Sequence, residues 1–549
     1  MAARFGLAGR VNDGNVKWFT LVAACFGLFM AILDNLVVNI AMPTIAVDLD
    51  ATTTHLQWIV SAYTIVFASL QITAGGLGDR FGRKRWFMLG LVLFTATSLL
   101  AALSRNIEML IAMRALQGLG AAFIMPLSLS LISAAFPPEE RGKAVGIWGA
   151  ISVSSIALGP VVGGLLVEYA SWEWVFLINV PIGLGALFVT SAVVRESKDE
   201  SGAVSTDIPG TVLITAAIAA LTYGLIEAGE RGWGDTRIVT FLVGALALGI
   251  AFIYVESRTA LPMVPLRFFR SKTFTGANID SFMIAFLLTG ISFFMTLYQQ
   301  NVHGFSAVRT GLALLPMVAV MMALSPIAGS LTGRMGSRTL LSIGLGITAI
   351  GTLLFLRSGA DASYWDILPA FIVLGLGNSF LWAPMTTAVL NSVESDKSGI
   401  ASAVNGAVRE IGTAFGIALL GTIANRVYQN EFRSDSRVEE LAQNPELAPV
   451  VSFVGDGASN AGHVIDRIPA LSALPAEVVD VLRLASSEAF VVGMDRAIII
   501  SGLGLLVTSV LSYFLISEQV VVQPIEAHAP APALEPEVDP EVASAPAAD

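Results

Sequence analysis

Five ionisable side chains lie within long apolar stretches of this sequence: Asp34, Arg114, Asp280, Arg409 and Glu410. A charged side chain at the depth of a lipid bilayer costs at least about 2.5–3.5 kcal/mol on insertion scales, so each of these residues needs a reason to be there. Acids and arginines in such surroundings can bind protons, pair with each other or attract a charged ligand. These five residues are therefore the candidates for chemistry.

Asp34 and Arg114 are predicted to lie at the same depth. Asp34 precedes the end of its apolar run near Met42 by about eight residues, and Arg114 follows the start of its run near Ile107 by about seven. At 1.5 Å per residue, both lie roughly 10–12 Å below the same surface, which permits an ion pair if their helices face one cavity. Gln117 shares the helical face of Arg114 by its spacing of three residues. The alternative for Arg114 is a structural contact with a backbone carbonyl.

The other three candidates differ in depth. Glu410 is predicted to lie roughly 12 Å inside its helix, which favours a role in binding a proton or a substrate. Arg409 is its neighbour, and adjacent residues on a helix point about 100° apart, so the two cannot both face one cavity squarely. Asp280 lies about five residues from the end of its run, where a wetted interfacial charge explains it at least as well as a functional role.

The elements that position these residues are predicted to be membrane-spanning helices. Hydrophobic residues make up 55% of the chain and charged residues 13%, against about 25% charged in a soluble domain, and the mean hydropathy is +0.74. Fourteen apolar runs are long enough to cross the roughly 30 Å hydrocarbon layer. They lie at about 18–40, 56–77, 86–104, 107–134, 144–167, 174–194, 209–226, 238–255, 275–298, 309–331, 339–356, 367–391, 402–424 and 497–516.

The distribution of Lys and Arg predicts the orientation of these helices. Short loops that are rich in Lys and Arg usually lie on the cytoplasmic side of the membrane. With the N-terminus inside, the inner segments hold eighteen such residues, and the short outer loops hold five, Arg105, Arg231, Arg237, Arg309 and Arg357. The prediction is a multi-pass protein of the cytoplasmic (inner) membrane with both termini in the cytoplasm.

An internal repeat predicts how the chain is divided. Gly118 and Gly120 recur as Gly375 and Gly377, displaced by 257 positions, and the loop at 75–82 is echoed at 329–336. Transporters are commonly built from such repeated halves. The predicted divisions are a cytoplasmic N-terminus (1–17), a six-helix half (18–194), a linker with two extra spans (195–273), a second six-helix half (274–516) with a long extracytoplasmic loop (425–496), and a disordered cytoplasmic tail (517–549).

Five motifs carry a resemblance to a known family. The loop at residues 75–85 resembles the signature loop of the major facilitator superfamily, with Gly75, Gly78, Asp79, Arg80, Gly82 and Arg83 as its gating residues. The end of helix 1 around Asp34, the Arg114–Gly120 stretch and residues 171–183 are similar to the drug:proton antiporters with fourteen helices. A stretch with Gly159, Pro160, Gly163 and Gly164 resembles the motif that marks antiporters in this superfamily.

This resemblance implies an all-α major facilitator fold with fourteen spans and proton-driven efflux of small lipophilic drugs. It implies a monomer in the lipid bilayer that uses the proton gradient and no cofactor. Together with the depths of the buried charges, it predicts a proton and substrate cavity lined by Asp34, Arg114, Gln117, Arg409 and Glu410. The negative charges of Asp34 and Glu410 favour lipophilic cations as substrates. The second half departs from the pattern, because Gly333 stands at the repeat position of Asp79 and Phe371 at that of Arg114.

Other functions remain as alternatives. The same mechanism could export an endogenous metabolite or siderophore, and a non-transporting membrane scaffold is the remote alternative. Four scattered histidines and a single cysteine, Cys25, argue against an enzyme, a metal site and an internal disulfide. No phosphate-binding loop indicates an ATP-driven pump, and no basic stripe indicates nucleic-acid binding.

Overall fold

The computed structural model describes residues 13–51, 53–198, 207–259, 262–394, 397–458, 461–462, 465 and 475–517. These residues form helices and no strands. In chain order the helices are α1 (Asp13–Asp48), α2 (Thr53–Phe81), α3 (Arg83–Ala102), α4 (Ile107–Ala135), α5 (Pro138–Tyr169), α6 (Trp174–Leu177), α7 (Asn179–Val193), α8 (Ile208–Arg231), α9 (Thr236–Arg258), α10 (Lys272–Leu297), α11 (Ala307–Met335), α12 (Ser337–Leu354), α13 (Tyr364–Ser379), α14 (Trp382–Asn391), α15 (Ser398–Phe415), α16 (Gly421–Ser434), α17 (Ser436–Ala442), α18 (Ala448–Gly455) and α19 (Ala476–Leu515).

The fold class predicted from the sequence is confirmed. Within the described ranges, thirteen helical stretches are long and apolar enough to cross a membrane. The 32-residue α5 occupies the position of the fifth predicted span and packs along α1 and α11. Turns of π-helix after α10 (Tyr298–Val302) and between α15 and α16 (Gly416–Leu420) keep those spans continuous.

Two of the predicted spans are broken by proline. A proline inside a helix lacks the N–H that would bond to the carbonyl four residues earlier, and its ring clashes with that carbonyl. Pro181 lies four residues after Leu177, where α6 ends, and Pro384 lies four residues after Phe380, which follows the end of α13. The sixth span is therefore α6 with α7, and the twelfth is α13 with α14.

The helices on either side of the predicted extracytoplasmic segment 425–496 continue into it, so both neighbouring helices are longer than the predicted spans. The helix of α16 ends only at Ser434, and α19 is 40 residues long, about 60 Å and twice the hydrocarbon thickness. The sequence of α16 is mainly polar, but it contains an apolar stripe formed by Ala424, Tyr428 and Phe432. This stripe packs in the core formed with α19. A hydropathy criterion ends the helix too early for this reason.

The projecting ends of α16 and α19 form a small folded unit with α17 and α18, which we call the cap. The Tyr428 hydroxyl donates to the carbonyl of Val454 at 2.7 Å, and Arg437 pairs with Asp435 at 2.6 Å and with Glu488. Hydrogen bonds from Arg437 hold the pKa of the Asp435 carboxyl below its usual value. We call the end of the bundle with this unit the cap end, and the opposite end, with the arginine-rich turn between α2 and α3, the basic end.

The two additional helices lie against the junction of the two halves. Helix α8 packs on α2 from the first half and on α15 from the second, and α9 packs on the outer side of α8. Large apolar side chains of α9 are exposed, including Val243, Leu246 and Ile250, as expected of a face in contact with lipid. The predicted tail at 518–549 and the first twelve residues lie outside the described part of the chain.

The position of the cap allows a test of orientation. In a Cys25→Ser background, Ser436→Cys introduces a single thiol at an exposed position at the start of α17. If the basic end faces the cytoplasm, a membrane-impermeant maleimide will label this thiol in intact cells. The matched control is Lys198→Cys, exposed in the linker at the basic end, which should react only after the cells are opened. The opposite pattern for the two thiols would contradict the predicted topology.

Candidate functional site

Asp34 lies at the centre of a buried hydrogen-bond network. Its carboxylate accepts from Arg114 Nη1 at 2.5 Å, from Gln117 Nε2 at 2.9 Å and from Asn179 Nδ2 at 2.6 Å. The hydroxyl of Ser98 accepts further hydrogen bonds from Gln117 and Asn179, at 2.5 and 3.3 Å. The network therefore joins α1, α3, α4 and α7 through one carboxylate.

Arg114 is held on its other sides by α2. Its Nε donates to the carbonyl of Ile59 at 3.2 Å, and its guanidinium lies over the ring of Tyr63, 4.4 Å from the centroid. Asp34, Arg114 and Gln117 are fully buried. Burying a charged pair is costly unless its geometry and additional hydrogen bonds compensate. The partners named above supply most of these bonds, whereas Arg114 Nη2 has no hydrogen-bond partner among the described residues.

The structure thus brings together Asp34, Arg114 and Gln117, which share predicted roles, and it adds partners that were not predicted. Arg114 makes both contacts considered for it, the ion pair and the contact with a backbone carbonyl. Asn179 is the main addition. It could have been recognised in the sequence as a polar side chain within the apolar stretch 171–183, which resembles the fourteen-helix group. A cavity lies on the cap side of this network.

A cavity of about 1050 Å³ lies between the two halves and extends to the cap end. Asn35, the neighbour of Asp34 on α1, faces it, as does Glu410 on α15. The remaining wall combines polar groups of α1 and α2 with apolar side chains of α8, α10 and the π-helical turn after α15, and its mouth includes residues 456–458 of the cap. Its volume is at the upper end of the range usual for small-molecule sites.

Arg409 and Glu410 diverge, as their adjacent positions predicted. Glu410 lines the cavity, whereas Arg409 lies near the ring of Trp382, 5.8 Å from its centroid, and is absent from the cavity lining. The two charged groups are still 3.8 Å apart, and both side chains are half-buried. Glu410 is therefore an acid of the cavity with a cation close behind it.

Asp280 does not belong to the site. It is fully buried on α10 beside Ser512 of α19, and it is not part of the cavity wall. The expectation of a wetted interfacial charge is wrong, because α19 packs on α10 and covers this position.

At the basic end, Asp79 connects the two halves. Its carboxylate accepts from the backbone N–H of Ile400 at 2.8 Å, from Arg83 at 2.7 Å and from the Ser130 hydroxyl at 3.2 Å. Ile400 lies in the first turn of α15, where backbone N–H groups have no partner within the helix and the helix dipole favours an anion. Ser130 also contacts Ser398 at 3.1 Å, so α2, α4 and α15 meet here.

Glycines of the same motif allow this contact between the halves. A Cβ atom on Gly75 would lie 2.6 Å from the carbonyl oxygen of Gly399 and 2.5 Å from the Cβ of Ala403, closer than side chains pack. Gly82 has a φ of +116°, which favours glycine in the turn from α2 to α3. Gly78 packs against Leu127 of α4, and Arg80 lies over the ring of Phe81.

The glycine motif of α5 packs against the helix that carries Asp34. A Cβ on Gly159 would lie 2.6 Å from Leu36, and one on Gly163 would lie 3.2 Å from Ile40. Gly164 is half-buried beside them, and Pro160 lies in the same helix without breaking it. The motif therefore fixes the position of α1 next to both the network and the cavity.

Comparison with known proteins decides the family. Residues 24–417 match the model of the Major Facilitator Superfamily. The chain belongs to this superfamily. This match confirms the family predicted from the sequence motifs. Members of the superfamily act on small molecules within membranes.

Several relatives are named for antibiotic resistance. The chain is 34% identical to the tetracenomycin C resistance and export protein of Streptomyces glaucescens, over 93% of this chain and 92% of that protein. It is 34% identical to the multidrug resistance protein Stp of Mycobacterium tuberculosis, over 82% and 84%. The methylenomycin A resistance protein of Streptomyces coelicolor is 36% identical, over 73% and 85%.

A solved structure supports the same fold. The crystal structure of the human organic anion transporter MFSD10 (TETRAN) superposes with a TM-score of 0.54, covering 89% of this chain and 99% of that one. The sequences are 11% identical, so this similarity concerns the fold alone.

The contact of Asp79 with α15 predicts a role in this major facilitator protein. Asp79→Asn keeps the shape of the side chain but removes the charge that the N-terminus of α15 stabilises. We expect dye efflux from intact cells to fall at least severalfold at equal membrane expression. Asp361→Asn, at an exposed position between α12 and α13, is the control and should leave efflux unchanged. Equal efflux by the Asp79 variant and the wild type would remove Asp79 from the transport cycle.

Neighbouring glycines provide a second test of the closed basic end. Gly75→Ala places a methyl group against the backbone of α15, whereas a Cβ on Gly76 meets nothing closer than 3.6 Å. We expect Gly75→Ala to lose most of its transport activity and Gly76→Ala to retain it, since only the first change separates the helices. Dye efflux measured at matched expression compares the two variants. Full activity of Gly75→Ala would show that close packing at Gly75 is not required.

Proposed function

We propose that this chain is a proton-driven exporter of small lipophilic molecules in the cytoplasmic membrane. The observation that carries the proposal is the relation between the buried network and the cavity. Asp34 and Arg114 form a charged pair without solvent exposure, and the next residue on α1 faces a cavity large enough for a drug-sized molecule. Charges retained within a membrane at such a cost usually mark a proton or substrate path.

The basic end is assigned to the cytoplasm, because Lys and Arg concentrate there. The cavity then extends toward the outside, while the Asp79 contact and the close approach of Gly75 to α15 close the cytoplasmic side. This arrangement corresponds to an outward-facing state. An exporter releases its substrate from such a state and takes up protons in exchange.

The coupling step is assigned to Asp34. Its three partners are donors, so in this state the carboxylate is matched as an anion. Separation of Asp34 from Arg114 removes the positive charge beside it and allows the acid to bind a proton more readily. Proton movement down the membrane potential supplies about 2.3 kcal/mol per charge for each 100 mV, which is sufficient for substantial export. The cycle needs no cofactor and no catalytic step.

The cavity favours amphipathic substrates with a positive charge. Glu410 supplies a half-buried carboxylate, and apolar side chains of α8 and α10 supply much of the remaining surface. The other charged residues of the lining carry both signs, and two of them are paired outside it, Arg231 with Glu227 and Asp456 with Arg433; the third is Arg426. Arg409 lies outside the lining and balances part of the negative charge of Glu410. The relatives named for resistance to natural products support export of such compounds.

The export of a single endogenous compound is a second candidate. The tetracenomycin C protein is named for both resistance and export, and another relative is named as a cephamycin export protein. The same cavity and coupling network serve either function. Both halves of the cavity come from one chain, which supports a monomer as the working unit. We assign no catalytic activity to the protein.

The proton-coupling role of Asp34 is tested in proteoliposomes under an imposed pH gradient. Asp34→Asn keeps the size of the side chain but cannot carry a proton, and it replaces one of the two acceptor oxygens by a donor. We expect gradient-driven transport of ethidium to fall to the background of empty vesicles. Arg114→Ala should have the same effect, although it leaves Asp34 unpaired at a cost of about 3–5 kcal/mol, so folding of this variant must be checked by its elution in detergent.

The matched control is Asp48→Asn, which removes a carboxylate from the exposed end of the same helix. This variant should transport at the wild-type rate. Full gradient-driven transport by Asp34→Asn would exclude Asp34 as the essential proton carrier.

A further inference from the structure

The inserted helix α8 is part of the wall of the cavity. It contacts the first half through the hydroxyls of Thr215 and Thr73, 3.2 Å apart, and through the rings of Tyr223 and Trp58, whose centroids are 6.2 Å apart. It also packs on α15 and on the π-helical turn that follows. Since α9 covers its outer side, α8 closes the junction between the halves where the cavity would otherwise meet lipid.

One face of α8 and the turn after it line the cavity. The apolar side chains Leu225 and Ile226 face it in the final turns of the helix, and Trp233 faces it from the turn. Phe293 and Phe294 of α10 also line the cavity. Its apolar lining therefore comes partly from α10 and partly from the insert.

Trp233 is held in place from the second half. Its indole Nε1 donates to the Thr422 hydroxyl of α16 at 2.9 Å, and this hydroxyl donates to the carbonyl of Ala418 at 2.7 Å. Gly232, with a φ of +85°, ends α8 and directs the chain toward this position. The hydrogen bond satisfies the one polar atom of the indole, so the ring presents an apolar surface.

The charge of Arg231, two residues before Trp233, is already balanced. Arg231 lines the cavity as well, and it pairs with Glu227 at 2.6 Å. The contribution of the insert to the mouth of the cavity is consequently an aromatic surface without a net charge. Such a surface stacks on flat rings, and it is attracted to cations through the face of the indole.

We propose that Trp233 is a specificity-determining residue, which packs against the planar aromatic part of the substrate in the outward-facing cavity. The inference rests on the proposed export function and adds the substrate class: amphipathic cations with a flat aromatic portion, whose charge is matched by Glu410. Thr422 is a positioning residue, because it holds the indole and lies at the rim. The two inserted helices thus act as a selectivity element of the transporter.

The test compares two cationic probes in proteoliposomes, ethidium, which is planar and aromatic, and tetrabutylammonium, which has no ring. Trp233→Leu retains an apolar side chain and removes the aromatic face. We expect the KM for ethidium to rise about tenfold, as is usual for loss of an aromatic contact, and the KM for tetrabutylammonium to change less than twofold. The kcat values should change little, because the coupling network is untouched.

Two further variants separate the ring from its hydrogen bond. Trp233→Phe keeps an aromatic face without the donor, and Thr422→Val removes the acceptor at nearly constant size. Both should raise the KM for ethidium by a smaller, similar factor. Trp365→Leu is the control, because Trp365 is exposed on α13 outside the cavity, and it should not alter either KM.

The outcomes distinguish the inference from the function on which it rests. Wild-type protein that moves neither probe would overturn the proposed export of lipophilic cations, and the inference with it. Wild-type transport combined with equal KM shifts for both probes in Trp233→Leu, or with no shift for either, would overturn the selectivity role alone. If Trp233→Leu does not fold, the ethidium KM of Trp233→Phe decides, and an unchanged value would overturn the role of the held indole.

Discussion

The structure of the first half depends on the need to satisfy a carboxylate buried within a membrane. Asp34 achieves this with donors from α4 and α7, and Arg114 in turn contacts the carbonyl of Ile59 and the ring of Tyr63 on α2. Five helices of the half are tied to this pair of charges through direct contacts or through Ser98 on α3. The glycine face of α5 supports α1 from the other side, so all six spans of the half contact this network or the helix that carries Asp34.

The same helices link the network to the closed basic end. Helix α2 carries the contacts of Arg114 near its cap end and Asp79 near its basic end, and its 29 residues span about 43 Å. Helix α4 likewise carries both Arg114 and Ser130, which contacts Asp79 and Ser398. A rearrangement of the ion pair can thus be transmitted to the contact between the halves through two rigid helices, α2 and α4. The second half contributes different parts: it has Phe371 and Gly333 at the repeat positions of Arg114 and Asp79, and it supplies Glu410 and the N-terminus of α15.

Several of these features could be predicted from the sequence, because they depend on periodicity, depth and motif. The equal depth of Asp34 and Arg114 predicted their ion pair, and the glycine spacing at 75–82 predicted a close contact between helices. Contacts across helices, such as those of Asn179 and Ser98 or of Trp233 and Thr422, depend on how the helices are arranged and are not visible in a single sequence. The ends of α16 and α19 were missed because helices that leave the membrane become amphipathic. Asp280 was misplaced because the packing of α19 against α10 is not visible in a single sequence.

The central claim is that Asp34 takes up and releases the transported proton in exchange for substrate. It is tested most directly by proton release when tetraphenylphosphonium binds to the purified protein in weakly buffered detergent solution, monitored with a pH indicator. The account predicts that the wild-type protein releases protons on binding, and that Asp34→Asn binds the cation but releases markedly fewer. Proton release by Asp34→Asn equal to that of the wild type would contradict the account.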